Sequence, residues 1–134
     1  MKPITDSRRT ILLIELHRAI EDAATKTARA LANGTAGDGL AYPPNERLSR
    51  EEVASLKQLS VDAVTERALA KAIADSTASA VFSLFSLMDA VAGPEAPFDG
   101  DVWLGAQLAE PDEDDHPMMH DAFFDTYMDY RGAS

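Results

Sequence analysis

The chain has no cysteine in its 134 residues. That excludes a disulfide framework, a thiolate zinc site and a thiol nucleophile, and it suits a reducing compartment. Histidine is scarce too, with three copies. None lies near a Gly-x-Ser-x-Gly elbow, so no Ser-His-Asp triad can be framed. The sequence holds no Walker loop and no Rossmann glycine fingerprint. Asp99-Gly100-Asp101 and Asp112-x-Asp114 start like calcium loops, but the glycine at the sixth position and the acid at the twelfth are missing.

Long apolar runs are lacking as well. Ile11 to Ile14 is ended by Glu15, too short for the apolar region of a secretory signal. The stretch from Ala78 to Ala92 is interrupted by Ser79, Ser83, Ser86 and Asp89, and it falls short of the roughly 18–20 residues that cross a bilayer. The expected location is the cytoplasm, without membrane contact. No cofactor motif occurs, and no stretch is specific enough to borrow an activity by resemblance.

What is present is the balance of a folded protein. Hydrophobic residues make up 46% of the chain and charged residues 26%, which fits one globular domain of 1–134 rather than a disordered tail. The net charge of −11 is unevenly placed. Residues 1–92 hold 12 acidic and 11 basic side chains, whereas residues 93–134 hold 11 acidic side chains and only Arg131. An acidic last third repels nucleic acid and anionic lipid and attracts basic proteins or cations.

Hydrophobic periodicity predicts helices. From about Ser7 to Asn33, residues Leu12, Leu16, Ala19, Ile20, Ala23, Ala24, Thr27, Ala30 and Leu31 share one arc, opposite Glu15, Arg18, Asp22, Lys26 and Arg29. Arg18–Asp22 and Asp22–Lys26 are spaced for i,i+4 pairs. Asp6 or Ser7 suits the N-cap, and Asn33-Gly34 a left-handed stop. Ile11 and Ile14 fall on the polar arc and admit a helical homodimer. Residues 34–48, with three glycines and Pro43-Pro44, read as a mobile loop.

Ser49-Arg-Glu-Glu52 is a capping box opening a short helix to about Gln58. A longer helix follows from Ser60–Asp62 to a stop at Gly93-Pro94. Its second half is apolar nearly all round, which predicts a buried central helix. Ala72, Ser76, Ser79, Ser83, Ser86 and Ala90 form a small-residue seam suited to a close neighbour.

Beyond Gly93, prolines and glycines break the chain, so residues of about 93–115 read as an irregular acidic segment laid over the helices. A terminal helix over about 116–131 should dock through Met119, Phe123, Tyr127 and Tyr130. Pro117 suits its first position. The expected fold is therefore all-α, a three- to four-helix bundle with a long central buried helix and an irregular acidic C-terminal segment.

Two functional readings follow. Asp121, Asp125 and Asp129 recur at i, i+4 and i+8, a repulsive spacing that ion pairs with Arg18, Lys26 and Arg29 or a basic partner would relieve. With Asp112, Asp114, Asp115 and Trp103 they form the candidate partner-binding residues. This favours a non-enzymatic acidic interaction protein of inhibitor, immunity or adaptor type that binds a basic protein. Trp103 has an alternative role as the anchor of its irregular segment. The second reading is a small metal-binding bundle, extending to a metal-dependent enzyme, built from His116, His120 and Asp121 with His17 and Glu21. Two imidazoles four apart share a helix face. No catalytic residue is assigned.

Overall fold

The computed structural model describes residues 2–95, 103–110 and 118–133. The fold is mostly helical, with no strand among the described residues, as the periodicity required. Five helical segments follow in order: α1 (Asp6–Asn33), α2 (Arg50–Lys57), α3 (Ala63–Met88), α4 (Met119–Asp125) and α5 (Tyr127–Ala133).

Local chemistry sets most helix ends. Thr5, rather than Asp6 or Ser7, caps α1, its hydroxyl accepting from the Arg8 N–H. Gly34 closes α1 in the left-handed region at φ 73°, donating to the carbonyls of Ala30 and Leu31. Both bonds of the capping box are present, Glu52 N to Ser49 Oγ at 3.1 Å and Ser49 N to Glu52 Oε2 at 2.6 Å. Asp62 caps α3, accepting from the Thr65 N–H at 2.7 Å.

The backbone N–H of Thr65, then its hydroxyl, holds the Asp62 carboxyl below its ordinary value of 3.8. A depressed carboxylate contributes stability that is complete above the unfolded value and disappears as pH falls through the folded one. Asparagine caps about as well without titrating. The melting-temperature advantage of wild type over Asp62→Asn should therefore shrink as pH is lowered below about 4. A difference that stays constant across thermal melts from pH 3 to 6 would rule this contribution out.

Helices α1 and α3 form an antiparallel hairpin. Pro3, Ile4 and Arg9 near the start of α1 share a groove with Met88 and Asp89 at the end of α3, while Ile20 lies beside Asp75 and Ala78. The buried ridge of α1 is Ile20, Ala24 and Ala28, spaced four apart. Ala28, at 1% exposure, replaces the expected Thr27, and Ala19 and Ala23 face solvent. Small side chains on this ridge let the two backbones approach closely. On the solvated side Arg18 pairs with Glu15 at 3.4 Å, in place of Asp22.

The central helix is not buried within one chain. No residue of α3 is buried; its half-buried positions, such as Leu69, Ile73, Val81, Phe85 and Met88, turn toward α1. Ala72, Ser76, Ser79 and Ser83 of the small-residue seam are exposed, as are Phe82 and Leu84. Helix α3 also stops before Gly93. Asp89 caps it, and Ala90 adopts a left-handed φ of 57° as Val91 and Ala92 donate back to the Ser86 carbonyl.

Residues 103–110 strap the open end of the hairpin. The Ala106 N–H donates to the Met88 carbonyl at 2.9 Å, and Trp103 Nε1 to the Leu87 carbonyl at 3.0 Å. These bonds satisfy last-turn carbonyls that a helix leaves unpaired. At the other side Ile4 N donates to the Leu108 carbonyl and Glu110 N to the Lys2 carbonyl, around an isolated bridge between Pro3 and Ala109.

Candidate functional site

The C-terminal segment carries most of the candidate residues. The single terminal helix expected over 116–131 is two segments of seven residues, α4 and α5, interrupted at Thr126. The Thr126 hydroxyl donates to the carbonyls of Ala122 at 3.0 Å and Phe123 at 3.1 Å. Thr77 and Ser79 make the same bond inside unbroken α3, so this hydroxyl does not by itself end α4.

The aromatic face of this pair meets the 34–48 loop. The ring of Tyr42 stacks on Phe123 at 5.8 Å between centroids and meets Tyr127 edge-on at 5.4 Å and Phe124 at 6.3 Å. Tyr127, at 7% exposure, is the one buried large aromatic among the described residues. Burial pushes its phenol above the ordinary value, with the Glu46 charge adding to the effect. Arg131 reaches back toward Glu46 at 3.8 Å. Among the described residues α4 and α5 make no helix-to-helix contact with α1 or α3. Of the expected docking face, Phe123, Tyr127 and Tyr130 join the ring cluster while Met119 is exposed, and the cluster seats on the loop rather than on the helical core. Tyr42 stood alone in a proline-glycine loop, and a large aromatic in polar chain was the available signal.

Asp121, Asp125 and Asp129 are all exposed. The expected ion pairs with Arg18, Lys26 and Arg29 are absent among the described residues; Asp121 meets its neighbour His120 at 3.2 Å, and neither Asp125 nor Asp129 has a described basic partner. Within α4, Asp121 and Asp125 lie across from Phe123, and within α5 Asp129 points away from the buried Tyr127. Trp103 is exposed except where its indole N–H holds the end of α3, so it anchors the strap while offering a ring face to solvent. Asp112, Asp114, Asp115 and His116 lie outside the described residues.

The metal constellation is not assembled by the described residues. His17 lines the groove between α1 and α3, Glu21 is exposed one turn on, and His120 sits with Asp121 on α4. No three of the described His, Asp or Glu side chains gather closely enough to hold one ion.

No family model, curated protein or solved structure matches the chain.

Besides Tyr42, sequence reasoning missed Glu110. Its side chain, 12% exposed, accepts from the Thr5 N–H at 3.2 Å and pairs with Arg8. It thereby supplements the α1 N-cap from across the strap, where a negative charge also suits the helix dipole. Nothing local marks it: in sequence it is one more acid before Pro111.

Proposed function

We propose that this chain is a non-enzymatic interaction protein whose acidic C-terminal region docks a basic protein partner, in the manner of an inhibitor, immunity-type or adaptor protein. The observation that carries the reading is the exposed row Asp121, Asp125 and Asp129, which the chain's own α1 cations leave without ion pairs. Like charges at this spacing cost a few tenths of a kcal/mol per pair, and a basic partner would turn that cost into attraction. The ring cluster on Tyr42 supports the reading by holding the opposite face, which leaves the carboxylates turned outward. Charge of this kind chiefly accelerates encounter and selects the partner. A cytoplasmic setting suits the cysteine-free sequence. The buried central helix that the apolar pattern of α3 calls for belongs, on this reading, to an assembled state.

The test compares wild type with the Asp121→Asn/Asp125→Asn/Asp129→Asn variant as bait in lysate, washed at low and at high salt. Wild type should retain a basic protein at low salt and lose it at high salt. The triple variant should bind that protein at least tenfold more weakly. Equal retention, with the same salt dependence, would remove the aspartate row from the interface.

A further inference from the structure

A single chain exposes more surface than its mass warrants. Its accessible area is 11060 Å², whereas a compact monomer of 14.5 kDa exposes about 6,900 Å². The sixteen residues outside the description do not account for the difference, since that many fully extended residues would expose about 2,500 Å². Part of the surplus is visible on the hairpin, where Ile11, Ile14, Val64, Phe82 and Leu84 are all exposed.

One flank of the hairpin holds an open, largely apolar groove of about 520 Å³ between Leu13, Leu16 and Ile20 of α1 and Val81 and Phe85 of α3. Phe82 stands at its edge, 73% exposed. We propose that a second copy of this chain covers this face, each copy's Phe82 entering the other's groove beside Leu13, Leu16, Ile20 and Phe85. An interface about a two-fold axis needs projection and recess on the same patch, and Phe82 beside its groove supplies both. The surplus left after the bound above is roughly 1,700 Å² per chain, within the area each partner contributes to an obligate homodimer.

Charge agrees. Residues 1–92 carry 12 acids against 11 bases, so two hairpins meet without the repulsion that two acidic C-terminal thirds would bring. Exposed Ser79 and Ser83 beside Phe82 are small enough to admit a neighbouring helix closely. The Phe82 face of α3 is then covered within a four-helix core, while Leu84, on another side of the helix, stays exposed.

The competing cover is a bilayer, because α3 is long and apolar enough by length and composition to cross one. Glu66, Arg67, Lys71 and Asp75 occupy its first half, however, and leave only the 13 residues Ser76–Met88 free of charge. They span about 20 Å, against a hydrocarbon core of about 30 Å.

The test is independent of the acidic docking reading. Sedimentation equilibrium of the full chain without detergent should give twice the 14.5 kDa chain mass, about 29 kDa. Phe82→Asp should weaken the dimer at least a hundredfold and sediment as one chain. Should that variant unfold, hydroxyl-radical footprinting of wild type decides instead: Phe82 should oxidise several-fold more slowly than Phe123, which is 59% exposed. A folded wild-type monomer, a Phe82→Asp variant that stays dimeric, or comparable oxidation of the two rings would overturn the proposal. Flotation of wild type with phosphatidylcholine vesicles would overturn it in favour of a bilayer.

Discussion

Tyr127→Ala should melt both terminal helices at once. Segments of seven residues fall well below the roughly 12–15 that an isolated helix needs in water. Their helicity therefore depends on docking, and Tyr127 is the buried centre of that docking, in edge contact with Tyr42. Removing a buried aromatic side chain costs about 3–5 kcal/mol, more than an exposed pair of short helices can absorb. Far-UV circular dichroism should lose the signal of α4 and α5 while that of the hairpin persists, and chymotrypsin should cut at Phe123, Phe124 and Tyr130. Met128 lies on the same segment but is exposed, so Met128→Ala should change stability by less than about 0.5 kcal/mol. Unchanged dichroism in Tyr127→Ala would show that the terminal segment is held by something other than the ring cluster.

Gly105→Ala should lift the strap from the end of α3. Gly105 has a φ of 85°, where a side chain is strained, and a β-carbon built there would lie 2.5 Å from the Met88 carbonyl oxygen. That obstacle is backbone at a helix end and cannot swing aside. The same carbonyl accepts the Ala106 N–H, so relieving the clash breaks the strap's own hydrogen bond. The left-handed penalty of about 1–2 kcal/mol and a lost bond of about 1 kcal/mol together give about 2–3 kcal/mol. The melting temperature should fall by roughly 10 °C. Trp103, detached from the Leu87 carbonyl, should shift its fluorescence toward that of a fully hydrated indole. Gly39 has open space around it, so Gly39→Ala serves as the neutral comparison. A Gly105→Ala variant that melts with wild type would mean that the strap does not hold the hairpin.

The features that could be read from the sequence are those whose chemistry is local. A cap needs only a hydroxyl or carboxylate and an N–H three residues on, so Ser49–Glu52 was legible, as was the left-handed stop at Gly34, whereas the start expected at Ser60 lies at Asp62. The buried ridge of α1 was placed slightly off, with Thr27 where Ala28 lies. Both fall on the same broad arc, and the rotation of the helix is fixed by where α3 presses, which periodicity does not contain. For α3 an apolar surface on every side stated the need for cover and left its source open; α1 covers one side only.

The candidate site divides the same way. Periodicity separated the aspartates from the rings on the terminal segment, because that is a local property of each short helix. The Tyr42 receptor and the Glu110 cap depend on groups brought from 85 to 105 positions away. The expected pairing of the aspartates with α1 cations failed for a related reason. The terminal segment docks on the loop and leaves α1 without a contact to it.

The most direct measurement is the affinity of wild type for its retained basic partner, by calorimetry, at a series of salt concentrations. The account predicts a dissociation constant that rises at least tenfold from low to high salt, with a much shallower dependence in the triple asparagine variant. An affinity indifferent to salt would contradict an acidic docking surface and move recognition to the apolar faces of the molecule.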